Sequence, residues 1–265
     1  MTKVKNEAVS DDALLGGRLT LRQPRGGHRA GHDALLLAAF VAARPGDRVV
    51  DFGAGVGAAG LALAARVGGL DLTLMEIDPD LAALARHNID VNRPTAAARV
   101  VKLDVTGPAD AFAAHGIMPD SVDHVLMNPP FNDPVRHRAS PDAARRAAHQ
   151  AGDDTLAAWV HAGRRILKSG GTLSLIWRPE GMAEVLAALA RGFGAVTILP
   201  VHPHADRAAI RILVRAGKGA RGATALMPGI VLMTAAGAPT PRSEAILRDA
   251  QGLDAGSGDQ PVEVS

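Results

Sequence analysis

The chain contains the stretch Arg48-Val-Val-Asp-Phe-Gly-Ala-Gly-Val-Gly57, a short apolar segment that runs into a turn with three glycines. Glycine allows the main chain to approach a neighbour closely and to adopt angles that other residues avoid. The alanine-rich segment 58–67 that follows predicts a helix. A strand, a glycine turn and a helix in this order begin an α/β unit. The glycines alone leave open whether the turn binds a ligand or only connects two elements.

The alternation of strand and helix continues on both sides of this stretch. A short strand is predicted over residues 18–23, and helices are predicted over residues 33–43, 58–67, 80–92, 155–167 and 182–191. Seven further strands are predicted over residues 48–52, 72–76, 99–103, 122–127, 172–177, 196–199 and 210–214. Short apolar strands that alternate with helices indicate a mostly parallel sheet covered on both faces. We therefore predict a Rossmann-like α/β fold with a seven-stranded, mostly parallel sheet.

The length of 265 residues and the hydrophobic fraction of 47% fit one folded α/β domain with small additions. We expect a single domain over residues 18–250. Residues 1–17 are expected to form a flexible amino-terminal segment, frayed over residues 1–13. Residues 251–265 are rich in Gly, Asp and Ser and are expected to form a disordered tail.

The composition excludes several kinds of site and location. The chain has no cysteine, which rules out disulfides, thiolate metal sites and cysteine nucleophiles. His202 and His204 have a spacing that two metal ligands could use, but the absence of cysteine and of a clear third ligand favours a loop pair and no metal site. The amino terminus lacks the apolar core of a signal peptide, and no apolar run reaches the roughly 18 residues of a membrane helix. We expect a cytoplasmic protein without a membrane partner, and no residue pattern indicates an oligomeric state.

Acidic residues lie at the ends of three successive predicted strands. Asp51 begins the glycine turn, where its carboxylate could hold a cationic amino group directly or through water. Glu76 ends the next strand, the usual place for an acid that binds ribose hydroxyls. Asp104 follows the third strand, where it could reach the exocyclic amine of an adenine. Together with residues beside them, these acids form the predicted cofactor site: Asp51, Gly53, Gly55, Gly57, Glu76, Ile77, Asp104 and Val105, with Asn128 from the next strand.

The tetrapeptide Asn128-Pro129-Pro130-Phe131 follows the predicted strand over residues 122–127. The Asn128 side-chain oxygen and a nearby main-chain carbonyl can each accept a proton from a planar NH2 group. The two prolines fix φ and stiffen the turn, and Phe131 offers a flat face on which a base or an amide can stack. We predict that these four residues form the catalytic turn for an amine or amide substrate.

The same tetrapeptide separates two candidate cofactors. A dinucleotide site requires the spacing Gly-x-Gly-x-x-Gly. Gly53, Gly55 and Gly57 are instead evenly spaced, although Gly60 would complete the dinucleotide spacing. The acid before the turn favours a zwitterionic amino-acid moiety over a pyrophosphate. Hydride transfer has no use for an amine clamp, so the turn at Asn128 favours S-adenosylmethionine over NAD.

Charge indicates a polyanionic partner on one face. The net charge is +2, yet basic residues outnumber acidic ones by about two to one between Pro130 and Arg221. A solvated, arginine-rich surface is the alternative. The candidates for contact with the phosphates of such a partner directly follow the catalytic turn and are Arg136, Arg138, Arg145, Arg146 and His149. For Arg164, Arg165 and Lys168, complementation of a helix dipole is the preferred interpretation.

At these motifs the chain resembles class I S-adenosylmethionine-dependent methyltransferases, and more closely the bacterial tRNA1(Val) adenine-37 N6-methyltransferases, over about residues 18–250. The general resemblance rests on Asp51-Phe-Gly-Ala-Gly-Val-Gly57, Glu76-Ile-Asp78, Asn88 with Asn92, and Asn128-Pro-Pro-Phe131. The narrower one rests on Asp33-Ala-Leu-Leu-Leu-Ala-Ala-Phe40, Ser140-Pro-Asp-Ala-Ala-Arg145, Ala147-Ala-His149, His202-Pro203, Ala209-Ile-Arg-Ile-Leu-Val-Arg215, Lys218-Gly219 and Thr240-Pro-Arg-Ser-Glu-Ala-Ile-Leu-Arg248. The resemblance implies methyl transfer to N6 of an adenine in RNA, and the RNA that it implies is the anticodon loop of a tRNA. Gln150 stands where the family has an acid.

Other functions remain open on the sequence. A protein glutamine N5-methyltransferase uses the same turn, although only 50 residues precede Asp51, where such enzymes carry a longer helical domain. The sequence does not separate a ribosomal RNA base amine from a tRNA adenine. A DNA amine methylase would need a recognition domain for which the length leaves no room. A cofactor-binding, RNA-interacting protein without catalysis is disfavoured by the intact Asn128 and glycine turn.

Overall fold

A nine-stranded sheet flanked by helices forms the centre of the computed structural model, which describes residues 9–26, 31–130 and 155–253. The strands are β1 Val9–Leu14, β2 Leu19–Pro24, β3 Arg48–Phe52, β4 Asp71–Glu76, β5 Ala97–Lys102, β6 Val122–Met127, β7 Leu167–Trp177, β8 Phe193–His202, β9 Arg211–Lys218, β10 Ala225–Leu226 and β11 Ile230–Val231. The helices are α1 His32–Phe40, α2 Ala58–Arg66, α3 Pro79–Asn92, α4 Ala109–Ala114, α5 over residues 155–166, α6 Met182–Leu189 and α7 Pro241–Leu247.

The strand order confirms the predicted fold class. It is β10-β8-β9-β7-β6-β3-β4-β5, with β11 also paired to β8. The seven long strands from β3 to β9 are the seven that the sequence predicts, and β9 is antiparallel to both of its neighbours. From β3 the chain first builds β4 and β5 on one side and then β6 and β7 on the other. This reversal of order opens a crevice at the carboxyl ends of β3 and β6.

The layers form because the strands are apolar on both faces and helices cover them. In β4, Leu72 and Leu74 are fully buried, as continuous apolar strands in a parallel sheet require. Helix α1 is buried over the whole of Ala34–Phe40 and packs against α2. It ends at Phe40, three residues before the predicted end, and the Arg66 guanidinium of α2 donates to the carbonyls of Ala38 and Val41. This side chain satisfies carbonyls that the helix end leaves free.

The amino-terminal hairpin, formed by β1 and β2, corrects one prediction. The sequence predicts that residues 9–13 are frayed, yet they pair with β2 in antiparallel register. On β2, the main-chain N–H and C=O of Thr20 bind the side-chain amide of Asn92, at 2.8 and 2.7 Å. The main chain of Arg22 binds the Asn88 amide in the same way, at 2.8 and 3.0 Å. Besides its pairing with β1, strand β2 is therefore hydrogen-bonded through its main chain to two asparagine side chains of α3.

Several shorter elements and boundaries differ from the sequence prediction. Helices α4 and α7 and strands β10 and β11 have too few residues to show a period, and the sequence does not predict them. Ser169, Gly170 and Gly171, which follow the predicted helix over residues 155–167, lie inside β7, where the pairing with β6 shifts register. Leu253, which the sequence assigns to a disordered tail, is buried, and its N–H donates to the Ala39 carbonyl at 2.7 Å. Within the described ranges, no helix is long and apolar enough to cross a membrane.

Candidate functional site

The predicted cofactor and catalytic residues meet at the carboxyl edge, the edge of the sheet where its parallel strands end. Phe52, the last residue of β3, pairs with Met75 of β4 and with Met127 of β6. The glycine turn, Glu76 and Asn128 therefore leave the sheet at the same level, on strands about 4.8 Å apart. The register of the three strands therefore brings these residues together.

The three glycines of the turn all have positive φ, but they face different surroundings. Gly53, at φ 62°, lies under Trp159, and a Cβ there would come within 2.4 Å of the indole ring. Gly57, at φ 89°, caps α2, and a Cβ there would come within 2.8 Å of Leu74. At Gly55, with φ 57°, no atom of the described residues lies within 4 Å of the Cβ position. Two glycines thus allow close packing, whereas Gly55 borders open space that a ligand can enter.

The Glu76 carboxylate is buried beside this open space and organises the turn. One oxygen accepts a hydrogen bond from the N–H of Gly55 at 2.8 Å, and the other accepts from the N–H of Asp78 at 2.9 Å. Each oxygen has a second lone pair for a ligand hydroxyl. The next side chain, Ile77, is 58% exposed, which is unusual for a large aliphatic residue. The pair offers acceptors and a flat apolar surface side by side.

Asp51 is almost fully buried, and its carboxylate accepts a hydrogen bond from the N–H of Gly60 at 2.9 Å. Gly57 has no side chain to cap α2, so Asp51 supplies the acceptor for the first turn of that helix. Burial, together with the negative charge of Glu76, raises the pKa of Asp51 to about 7, although the Gly60 hydrogen bond acts in the opposite direction. This carboxyl group therefore titrates near neutral pH and would respond to a bound cation.

The third acidic position differs from the first two in exposure. Asp104 is exposed, and its Oδ1 accepts hydrogen bonds from the main-chain N–H and the hydroxyl of Thr106, both at 2.8 Å. Val105, by contrast, has its side chain in the hydrophobic core beside Phe112. Of these two predicted cofactor residues, Val105 can reach a ligand only through its main chain.

Asn128 lies directly beyond β6 and has an unusual side chain. Its Oδ1 is buried, yet no donor among the described residues reaches it. Buried polar atoms nearly always have a partner, so a lone one needs an explanation. Pro129 beside it is buried and Pro130 is exposed. Phe131, Arg136, Arg138, Arg145, Arg146 and His149 lie outside the described residues.

Two residues of this site are not assigned to it by the sequence. Trp159 of α5 packs edge-on against Phe52 and covers Gly53. Asn88 stands out in the sequence only as part of a motif, and its Nδ2 donates to the carbonyl of Val56 in the glycine turn at 2.9 Å. Trp159 resembles an ordinary core residue in its helix, so only the absence of a side chain at Gly53 could have pointed to it. Asn88, fully buried in an otherwise apolar helix face, carried the stronger signal.

Charge is distributed unevenly along the carboxyl edge. The half formed by β3, β4 and β5 carries acidic groups at Glu76, Asp78, Asp80 and Asp104. The half formed by β7, β8 and β9 carries both signs: Arg178, Arg207 and Arg211 lie there with Glu180, Glu184 and Asp206, and Arg178 is 3.9 Å from Glu184. Asp33 forms an ion pair with Arg211 at 2.8 Å, and Arg207 is exposed. No group of three or more potential metal ligands lies within the described ranges.

Residues 31–202 match the methyltransferase small domain family. The chain belongs to this family. It is 28% identical to a tRNA1(Val) (adenine(37)-N6)-methyltransferase of Trichodesmium erythraeum, over 62% of this chain and 66% of that protein. It is 25% identical to a release factor glutamine methyltransferase of Chlorobaculum tepidum, over 60% of this chain and 55% of that protein. The matches thus span about two thirds and about half of these relatives.

A solved structure supports the same assignment over more of the chain. A predicted O-methyltransferase from Agrobacterium tumefaciens is 32% identical, with a TM-score of 0.70, over 83% of this chain and 97% of that one. These findings confirm the resemblance, the class I methyltransferase fold and the prediction of an S-adenosylmethionine-dependent enzyme. The observed groups fit that cofactor, because Gly55 borders open space next to the buried Glu76 carboxylate.

Proposed function

We propose that the protein methylates N6 of an adenine in RNA, with a tRNA anticodon loop as the substrate class. The observation that carries the proposal is the buried Asn128 Oδ1, which no donor among the described residues reaches, in a diproline turn next to the cofactor turn. A group that must accept a proton from a substrate amine needs this combination. It is held in place, it is shielded from water, and its acceptor remains open for the substrate.

The proposed chemistry depends on how Asn128 treats the amine. The lone pair of an adenine amine is delocalised into the ring, which makes it a weak nucleophile. Asn128 Oδ1 and the Pro129 carbonyl each accept one N–H, which draws the nitrogen toward tetrahedral geometry and aims its lone pair. S-adenosylmethionine, when bound, supplies an electrophilic methyl group on a sulfonium. Holding two reactants in line can contribute about 7–11 kcal/mol to lowering the barrier. The N–CH3 bond would form as the S–CH3 bond breaks, S-adenosylhomocysteine would leave, and the methylated nitrogen would then release one proton to water, so no strong base is required before attack.

The proposed cofactor contacts follow from the acidic half of the edge. Glu76 has lone pairs free for ribose hydroxyls, and exposed Ile77 offers its aliphatic face to the adenine ring. Asp104 has a second carboxylate oxygen for the adenine amine. Asp51, with a pKa near neutrality, provides the negative charge for the cofactor's amino group, directly or through water.

The charge of the chain after the catalytic turn supports RNA as the partner. Between Pro130 and Arg221 basic residues outnumber acidic ones by about two to one, and at the carboxyl edge Arg207 is exposed. A polyanion would have its phosphates drawn to such a surface. The target base must leave its stack to reach Asn128, which costs least in a single-stranded loop.

A protein glutamine is the second candidate substrate, because its planar amide fits the same pair of acceptors. The Chlorobaculum relative bears the name of such an enzyme. The excess of basic residues after the catalytic turn favours RNA over a peptide, which needs no phosphate contacts.

A labelling experiment tests the proposal. The protein is incubated with S-adenosylmethionine carrying an isotopically labelled methyl group, together with total bacterial RNA or, separately, bacterial protein. The RNA is digested to nucleosides and the protein to amino acids, and both are analysed by mass spectrometry. Label in N6-methyladenosine supports the proposal, whereas label in N5-methylglutamine, or in another nucleoside only, refutes it.

A further inference from the structure

A cleft of about 510 Å³ lies apart from the cofactor turn. It is bounded by the 3-10 turn Leu15–Gly17 after β1, by the start of α1, by α7 and by the segments that follow β8 and β11. Its walls are mainly apolar and include Leu14, Leu35, Pro203, Met233 and Leu247. We propose that this cleft receives a second, unstacked base of the RNA, an inference that rests on the proposed function.

Two segments of the cleft wall lie at the same edge of the sheet as Asn128. Pro203 directly follows β8, and Met233 lies two residues beyond β11, which is parallel to β8 with Val231 opposite His202. Asn128 follows β6, three strands away in the order β6-β7-β9-β8. At about 4.8 Å per strand this separation is roughly 14 Å. One strand of nucleic acid rises about 3.4 Å per nucleotide when stacked, so a few nucleotides span that distance.

Contacts within the chain hold the walls of the cleft together. Gly16 has φ 64°, and a Cβ there would come within 2.9 Å of the Arg248 carbonyl after α7. The Thr240 hydroxyl, which caps α7, donates to the Val231 carbonyl at 2.7 Å and so ties α7 to β11. A preformed pocket does not spend binding free energy on ordering its own walls.

The lining suits a flat heteroaromatic ring better than a lipid or an aliphatic chain. Apolar side chains face the interior, while His32, Glu244 and Arg248 stand at the cleft with polar groups. His32 and Arg248 are planar groups on which a base can stack, and Glu244 accepts hydrogen bonds from exocyclic amines. On the same half of the edge Arg207 is exposed and can contact a phosphate, whereas Arg211 is paired with Asp33 at 2.8 Å.

A binding experiment tests the cleft directly. The seven methionines are labelled with 13C at the methyl group, and the full chain, saturated with S-adenosylhomocysteine, is titrated with AMP, CMP, GMP and UMP in turn. We expect at least one nucleotide to shift the Met233 methyl resonance in a saturable way. In Ala13→Trp, the new side chain starts from an exposed position on the cleft wall and should abolish the shift. Ala97→Trp, an exposed strand position in β5, should retain it.

Kinetics with RNA complete the test. In Ala13→Trp we expect KM for the RNA to rise at least tenfold, with unchanged affinity for S-adenosylmethionine. If the wild-type protein methylates RNA and Ala13→Trp has the KM of Ala97→Trp, the cleft proposal is wrong and the proposed function stands. If all four nucleotides leave Met233 unmoved, the cleft proposal is also wrong. If the wild-type protein methylates only glutamine, the proposed function fails and the cleft proposal with it.

Discussion

At the scale of single residues, Asn128 differs from its neighbours because its side-chain oxygen is buried and receives no donor from the described residues. Replacement by alanine removes this acceptor. It breaks no hydrogen bond between the Asn128 oxygen and the described residues. We predict that Asn128→Ala lowers kcat by about 10²–10³, the usual cost of removing one oriented polar group at a reacting centre. Cofactor affinity, measured by calorimetry, should stay within about tenfold. Normal methylation by this variant would exclude the clamp.

A control for this variant is Gln251→Ala, which removes an exposed carboxamide outside the site. It should keep wild-type kcat and wild-type thermal stability. If both variants lost activity to the same extent, the loss would reflect the preparation and the clamp would be unsupported.

Asp51 gives a prediction about pH. Burial raises the pKa of Asp51 to about 7, so the carboxyl group is largely protonated at pH 6 in the free protein. A cationic amino group bound nearby would favour the ionised form, and binding below pH 7 would then release a proton. We predict that affinity for S-adenosylmethionine rises with pH up to about 7 and then levels off. Calorimetry in buffers of different ionisation enthalpy measures the proton directly.

The effect of Asp51 on stability has the opposite sign. An acid whose pKa is higher in the folded state binds its proton more tightly there, so its contribution to stability falls as pH rises from its ordinary range toward 7. Asp51→Asn should flatten both the affinity profile and this part of the stability profile. If Asp51→Asn kept the wild-type pH dependence of affinity, Asp51 would not be the responding group.

At the scale of elements, the glycine turn combines two requirements that substitution can separate. Gly53 and Gly55 have nearly equal φ, 62° and 57°, so alanine costs a similar backbone strain of about 1–2 kcal/mol at either position. Only at Gly53 would the new Cβ meet the Trp159 ring. We predict that Gly53→Ala loses more stability, measured by urea unfolding without cofactor. Gly55→Ala should keep more stability but lose cofactor affinity, because its Cβ enters the open space.

Equal stability losses in the two variants would show that Trp159 moves aside freely. Unchanged cofactor affinity in Gly55→Ala would show that the cofactor lies elsewhere.

Asn88 connects three elements and supports a further prediction. It accepts from the Arg22 N–H and donates to the carbonyls of Arg22 and Val56, all within a fully buried position. Asn88→Ala leaves these groups without partners, at about 1–3 kcal/mol for each group that water cannot reach. We expect lower stability and faster hydrogen exchange at the Arg22 amide. Arg86→Ala, an exposed position on the same helix, should change neither.

The long elements are predictable from sequence because their apolar period extends over enough residues. Helix α3 and strand β6 lie within one residue of their predicted bounds. The hairpin strand β1 is not predicted because the α3 side chains that hold the hairpin lie far away in the chain and half of its own residues are polar. Within the site, spacing at strand ends located Glu76 and Asn128. It could not show that Trp159 covers Gly53, since that contact joins the turn after β3 to helix α5, about a hundred residues later in the chain.

At the scale of the whole molecule, the uneven distribution of charge predicts a salt-dependent partner. We predict that Arg136→Ala with Arg138→Ala weakens RNA binding and reduces the slope of log K against log salt by roughly 0.7 for each phosphate that is no longer neutralised. The measurement is fluorescence anisotropy with a labelled RNA at several salt concentrations. The matched control replaces two exposed arginines, Arg86 and Arg191, which lie outside this segment. An unchanged slope in the first pair would identify those arginines as ordinary surface charge.

The attachment of β2 to α3 limits where insertions and deletions can occur in the sequence. Residues two apart on a strand are about 6.6–6.8 Å apart, and residues four apart on a helix rise about 6.0 Å, so Thr20 and Arg22 match Asn92 and Asn88 almost step for step. The repeat of the strand and the repeat of the helix are nearly equal over this short interval. An insertion or deletion between Thr20 and Arg22, or between Asn88 and Asn92, would misalign both amides at once. Length changes should therefore accumulate outside these two short intervals.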